Sequence, residues 1–452
     1  MMKNLLTKTK AFINKASAAL HDGVEWLLHH YGVLLMIVFI SFMAILLRYY
    51  FIPYTSGDTA WFLVPWTRYI RDHGGLLSLN ETPISYYNTT ANVNIPYGNN
   101  TFGYTIKGIV YANYPSFYYF LIALVSYLPI SDIAVIKVLS ALFDFNMAIA
   151  VLLLVKHLSK DNKVLMVLSY TLALFLPTVF INSAVWGQSD AFFAGMGVWF
   201  IYFLIKDKTL LAMVFIGLGL SVKLHMFFIL PIIGILFLKR RFNLLYLLVP
   251  FVIVFLTFIP GYIFGAPFLM PFKQIIGVAG TYSAPNMNSG SLYAFFQNLN
   301  NLGKWRDAVK LFGVPFAFTI LIVFTYVFYE KKVAINEDSL LALGTLFSFL
   351  TPFLLPHMHE RYFFMGDIFI LIYVIRNPKR FYLLFVSQLA SLMTYANFIL
   401  GGWFFPSIGP SGNLMIAASL NVFIIANLTY DILKIVEKPE ITTLETSEIQ
   451  QI

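Results

Sequence analysis

The chain has no cysteine. Disulfides, thiolate zinc sites, iron–sulfur clusters and cysteine nucleophiles are all excluded by that absence. Charge is scarce as well. Asp, Glu, Lys and Arg make up 11% of the 452 residues and the apolar set reaches 59%, against about 25% and roughly 45–50% in soluble proteins. No soluble core could hide that much apolar surface, so the sequence reads as an all-α polytopic membrane protein. Acids are the rarer sign, 21 against 30 Lys and Arg. The basic residues are scattered rather than striped along one face, which excludes a nucleic-acid-binding domain. The start of the sequence reads as carrying no cleavable signal peptide. The first long apolar run starts at Gly32 and ends in Arg48-Tyr49-Tyr50-Phe51-Ile52-Pro53, with no small-x-small pattern.

Long apolar runs are what the chain has instead. A span takes about 20 apolar residues, and the runs predict about twelve transmembrane helices. These are Gly32–Ile52, Ile133–Lys156, Val164–Ile181, Ala191–Ile205, Leu210–Lys223, Met226–Leu238, Leu244–Phe264, Leu311–Tyr329, Leu340–Leu355, Tyr362–Ile375, Phe381–Leu400 and Leu414–Ile435. Several are short, which implies tilted or broken helices. Pro115–Ile130 is apolar but opens on proline, and reads as re-entrant or interfacial. Leaving it out of the spans puts Lys3 to Lys15, Lys156 to Lys163, Lys206 and Lys208, Lys239 to Arg241, Lys331 and Lys332, and Arg376 to Arg380 all on one side. The positive-inside rule makes that side cytoplasmic. The predicted layout is a cytoplasmic amphipathic segment over 1–31, a transmembrane domain over 32–435 and a polar cytoplasmic tail over 436–452. Two long loops face outward, 53–132 with the re-entrant stretch and 265–310. The first carries sequons at Asn80, Asn88 and Asn99, in keeping with an outside face.

Chemistry-bearing residues gather in four segments, and the threading puts all four on the outer side. Ser56-Gly57-Asp58-Thr59-Ala60-Trp61 follows the first span; Asp58 is either the N-cap of an aromatic interfacial helix or a general base, with Trp61 beside it. Asn182 to Asp190 is either a polar turn or a sugar-contacting element built on Trp186, Gln188 and Asp190. Lys223-Leu224-His225 is a tight break between apolar runs. Its lysine either snorkels or joins His225 in donating to an anion. Pro356-His357-Met358-His359-Glu360-Arg361-Tyr362 packs two His, a Glu and an Arg at a membrane edge. Arg361 suits bidentate binding of phosphate. A metal site from His357, His359 and Glu360 is the competing reading, although the spacing is not that of a helical His pair. Lys137, Asp144 and Asp367 lie inside spans; the first two, two turns apart, read as a packing or cavity-lining network.

Taken in order, Tyr114-Pro115, Leu142-Phe143-Asp144, Asn182 to Asp190, Val222 to His225 and Pro356 to Tyr362 resemble prokaryotic integral-membrane glycosyltransferases of the GT-C superfamily, relatives of the second mannosyltransferase of GPI-anchor synthesis. The resemblance implies a GT-C-like fold and a donor sugar, mannose, carried on polyprenyl or dolichyl phosphate. It also implies a catalytic carboxylate in the first outer loop, the place Asp58 occupies. The implied acceptor is a lipid-linked glycan, a glycolipid or a protein. Many such enzymes carry paired acids in that loop; here Thr59 follows Asp58, which argues for a single base. The expected chemistry is inverting transfer without metal or cofactor. Asp58 is the base, Arg361, His359, His357, Lys223 and His225 face the donor phosphate, and Trp186, Gln188, Asp190, Glu360 and Trp61 face sugar or acceptor. The expected location is the plasma membrane with an extracytoplasmic site, or the endoplasmic reticulum membrane with a lumenal one. A multi-pass transporter of a small polar or anionic solute is the alternative, since intramembrane charges and broken helices occur there too.

Overall fold

Proline and the lengths of the apolar runs decide how this chain is cut into helices. The computed structural model describes residues 2–82, 84–87, 108–278, 284–299, 301–399 and 402–436. The sequons at Asn88 and Asn99 and the tail from Glu437 onward lie outside the described residues, whereas Asn80 is exposed. Helix α1 (Met2–Tyr50) joins the basic amphipathic stretch and the first span in one rod. Short α2 (Val64–Asp72) and α3 (Ser116–Ser126) follow, then α4 (Asp132–Leu158) and α5 (Lys163–Phe175). Pro177 cannot donate its missing N–H; at that point the rod bends by 43° into α6 (Pro177–Phe180) and a π-turn over Ile181–Val185. The central helices are α7 (Asp190–Ile205), α8 (Thr209–Leu220), α9 (Pro231–Leu238), α10 (Val249–Thr257), α11 (Ile259–Ile263) and α12 (Met270–Val278). Then come α13 (Gly303–Glu330), α14 (Glu337–Leu354), α15 (Phe364–Arg376), α16 (Tyr382–Ile399) and α17 (Gly409–Ile432).

The helical class holds, with two small departures from an all-α chain. Strand β1 (Ile84–Tyr87) pairs antiparallel with β2 (Gly108–Tyr111) in the first long loop. Strand β3 (Asn286–Met287) pairs parallel with β4 (Met358–His359). The count of twelve spans is not carried through. Among the described residues five helices are long and apolar enough to cross a membrane, or six if the bent α5–α6 pair is one span. The reason is geometric. Helix α8 has 12 residues and α15 has 13, which at 1.5 Å each gives about 18–20 Å against about 30 Å of hydrocarbon. Segments that are apolar enough by composition are thus too short to span as single straight helices.

Position in the bundle follows the apolar pattern. Helices α1 and α13 lie at the periphery and turn Leu34, Phe39, Phe42, Phe312, Phe318 and Ile322 outward, as lipid-facing helices do. Helix α15 is buried from Phe364 to Val374, with Asp367 accepting from the Ser387 hydroxyl; a helix that is otherwise apolar all round belongs in the middle. Arg376 at its end donates to the Leu158 carbonyl (2.8 Å) and to Asp338 (2.7 Å), and Arg380 pairs with Asp431. The basic loops thus meet at one end of the bundle. The four polar segments meet at the other, and because α15 is short, its entry loop at Glu360 and Arg361 is buried rather than held at the rim.

Candidate active site

The turn after α1 is capped, but not by Asp58. Asp58 has helical φ/ψ of −57° and −42° and makes no cap bond; the Thr59 N–H donates instead to the Ser56 hydroxyl (3.2 Å). The cap reading of Asp58 is corrected accordingly: a residue already in the helical region cannot fold its carboxylate back over the first turn. That carboxylate is left to face the interior of the site. Gln188 Nε2 donates to Asp58 Oδ2 at 2.7 Å, and Arg361 Nη1 lies 3.2 Å from the same oxygen.

The second segment is held in place from three directions. Lys137, buried on α4, donates from Nζ to the carbonyls of Ala184 (2.5 Å) and Val185 (2.7 Å). The hydroxyls of Ser56 (3.0 Å) and Thr59 donate to the Trp186 carbonyl. Gly187 turns the chain at φ +77°, where a Cβ would also meet Thr59 Oγ1 at 2.9 Å, so only glycine fits. This turn delivers Gln188, whose Oε1 accepts from the Tyr114 hydroxyl (3.0 Å) and Lys223 (3.4 Å). Asp190 accepts from Asn182 (2.8 Å) and from Lys223, and its Oδ2 is 3.3 Å from Arg361 Nε. Lys137 and Asp144 do not form one network as their spacing suggested. Asp144 instead pairs with Arg48 of α1 at 2.7 Å.

Arg361 ties the third and fourth segments to the first two. Its guanidinium lies 2.7 Å from Glu360, 3.2 Å from Asp58 and 3.3 Å from Asp190. Burial works against its charge, but Asp58, Glu360 and Asp190 outweigh that and hold its proton well above the ordinary range. Burial likewise raises the Glu360 carboxyl, yet His359 and Arg361 more than reverse this and leave it below its usual value. Burial keeps the Tyr114 hydroxyl well above its ordinary pKa, so it is a donor at neutral pH rather than a base. Of the three carboxylates around Arg361, Asp58 has a side chain 34% exposed, while Asp190 and Glu360 are each 1% exposed. Access therefore singles out Asp58.

Other candidates sit differently. His357 adopts φ +62°, a conformation costly for a non-glycine residue. Its N–H donates to the Pro285 carbonyl at 2.9 Å and its ring bonds the Ala284 carbonyl at 2.7 Å. The ring is thereby committed to the second long loop. His359 Nδ1 is 3.5 Å from Glu360. Among the described residues no group of three or more His, Asp or Glu is placed to hold a metal ion, and the His357 ring is taken by the Ala284 carbonyl. His225 is boxed by Tyr362, Phe193 and Phe228, with centroids 3.8, 5.3 and 5.3 Å away, and packs as an aromatic. Trp186 is stacked on Phe398 and edge-on to Tyr395, with Arg361 5.5 Å from its ring centre. It is a buried wall behind the guanidinium. The Trp61 ring lies over Gly57.

Sequence reasoning missed several residues. Tyr114 entered only through the resemblance, and its proximity to Gln188 had no local signal. Lys137 looked like a packing residue. Arg48 looked like the end of a span. The stretch 284–291 reads as loop in the sequence, yet β3 runs beside β4, and Asn286 Oδ1 accepts from the Ser289 N–H (2.9 Å). The run Asn286-Met287-Asn288-Ser289-Gly290-Ser291 is polar and small enough to have flagged a buried turn.

The model of glycosyltransferase family 87 matches residues 111–355, more than half of the chain. The match contains Tyr114, Gln188, Asp190 and Lys223; Asp58 and Arg361 flank it on either side. No curated protein matches the sequence. The glycosyltransferase part of the resemblance thus stands, while nothing singles out the second mannosyltransferase of GPI-anchor synthesis. The apolar helices and the matched residues agree, and the chain belongs to glycosyltransferase family 87, a GT-C-type family of membrane glycosyltransferases.

Proposed function

We propose that the protein moves a hexose, mannose in the first instance, from a polyprenyl- or dolichyl-phosphate sugar to an acceptor hydroxyl, with inversion and with Asp58 as the base. The observation that carries this reading is the accessible Asp58 carboxylate, held 3.2 Å from a buried arginine. A sugar phosphate already has a good leaving group, so the chemistry calls for a base at the acceptor and positive charge at the phosphate. In the transfer, the acceptor oxygen forms a bond to the anomeric carbon as the bond from that carbon to the phosphate oxygen breaks. The phosphate leaves with the electron pair, and the acceptor proton goes to Asp58. One displacement inverts the anomeric carbon, so a β-linked donor gives an α-linked product.

Arg361 and Lys223 are the cations nearest the phosphate in this scheme. Phosphate binding would draw Arg361 from Asp58, and a carboxylate relieved of its cation is a stronger base. Gln188, fixed by Tyr114, would then keep Asp58 oriented through its 2.7 Å bond. Asp190 and Glu360 serve the cations rather than the acceptor. The acceptor is a lipid-linked glycan, a glycolipid or a protein, and the reaction belongs to the extracytoplasmic or lumenal face. Basic loops at the opposite end of the bundle favour that orientation. Solute transport, the other reading of the sequence, gains nothing from the family match. The polar residues also gather at one end rather than at a midplane between repeats.

The deciding experiment incubates the purified protein with a panel of polyprenyl-phosphate sugars and measures released polyprenyl phosphate. Release with one sugar and an acceptor supports the reading; no release with any of them removes it. Transfer is expected to continue in EDTA, because Arg361 and Lys223 meet the leaving charge in this scheme. Loss of transfer on chelation, restored by a divalent cation, would remove that part of it.

A further inference from the structure

At the end of the bundle away from Asp58 lies a recess that the transfer chemistry does not use. Lys137 and Leu158 are both on α4, 21 residues or about 30 Å apart along the helix. Around Leu158, the end of α4, the turn between α7 and α8 and the end of α15 enclose a cavity of about 480 Å3. Lys156, Lys160, Lys206 and Arg376 line it against Asp161 and Glu337, so cations exceed acids.

The charges inside are unevenly matched. Lys206 Nζ bonds His157 Nδ1 at 2.8 Å. An ammonium only donates, so that nitrogen accepts and the ring's other nitrogen carries the proton. His157 Nε2 then donates to Glu337 at 2.9 Å. Glu337 is therefore engaged by His157, and Lys206 has no carboxylate within ion-pair distance among the described residues. Lys160 has none either, and Lys156 reaches Asp161 only at 3.5 Å. Arg376 is anchored to Asp338 and to the Leu158 carbonyl.

Two further observations say which anion fits. Trp199 and Tyr202, two turns and one turn before Lys206, meet edge-on at 5.7 Å, and belts of Trp and Tyr mark the depth of lipid headgroups. A second cavity of about 160 Å3 shares Leu158 and Arg376 with the basic one and is walled by Val155, Leu165, Ile372 and Ile375. A basic recess joined to an apolar slot at headgroup depth complements an amphiphile rather than a soluble ion. We infer that this recess binds the phosphate headgroup of an anionic membrane phospholipid, with an acyl chain against the apolar slot. Basic pockets between membrane helices bind such headgroups elsewhere.

The full chain in neutral detergent is titrated with short-chain phosphatidylglycerol, phosphatidylcholine or inorganic phosphate while its melting temperature is read. Phosphatidylglycerol should raise it saturably; the other two should not. Lys160→Ala with Lys206→Ala should raise the half-saturating concentration about twenty-fivefold, at about fivefold per surface charge. Lys331→Ala with Lys332→Ala removes equal charge elsewhere at the same end and should leave the response intact. Lys156→Ala with Lys160→Ala serves if the first pair lowers the melt without lipid. An unchanged response in the recess variants overturns the assignment. So does an equal response to inorganic phosphate, or an equal loss in the Lys331 and Lys332 control.

Discussion

Asp58→Asn separates chemistry from stability at this site. The substitution keeps the shape of the side chain, and its amide oxygen still accepts from Gln188. Arg361 keeps its contacts with Glu360 and Asp190 at 2.7 and 3.3 Å, so no buried charge is stranded. The Asp58 side chain is 34% exposed although Arg361 is 10% exposed, so water screens the lost pair from one side and, with Glu360 and Asp190 still balancing the guanidinium, its loss costs about 1 kcal/mol, the upper end for exposed pairs. Folding should therefore change little. Catalysis should change greatly, because an amide cannot take the acceptor proton. Loss of a general base costs about 10²–10⁴-fold in rate, or about 2.7–5.4 kcal/mol of barrier. The assay follows polyprenyl phosphate release at saturating donor, with melting temperature read on the same preparation. Turnover within about threefold of wild type, under 1 kcal/mol, would refute the base assignment. Loss of the fold together with activity would refute the argument from exposure instead.

Asp190→Asn should act in the opposite sense, because it leaves Lys223 buried without its carboxylate; a loss of about 3–5 kcal/mol, seen in denaturant unfolding, is expected. Arg361→Lys replaces a fork that reaches three carboxylates by a point charge. It should raise the donor KM about tenfold, the value of roughly one charge-assisted hydrogen bond, in steady-state kinetics. Lys137→Met frees the carbonyls of Ala184 and Val185 that aim the Gln188 turn. It should lower kcat by about tenfold, again one such bond, while donor KM holds. An equal rise in KM would show that Lys137 acts on binding rather than on orientation.

Gln188 illustrates how far a single sequence can be read. Its place in a polar run between two apolar runs marked it as a candidate, yet its partners lie at positions 58, 114 and 223. No local pattern names them. Arg48 reads as a basic residue closing a span until the fold sets it against Asp144. His357 reads as a phosphate donor until the returning loop takes its ring with the Ala284 carbonyl. Trp186 reads as a sugar platform until Phe398 and Tyr395 cover it.

The amino-acid sequence alone determined the solvent in which this chain folds, the end of the bundle that is basic and the four segments that hold its chemistry. Those are additive properties: transfer free energies and charges summed over neighbouring residues. Tertiary structure decided how many helices are long enough to cross, which carboxylate stays accessible and which cation each acid meets. Such outcomes depend on distances between residues hundreds of positions apart, and an ion pair's energy is set by that separation and by burial, neither of which is written in local order.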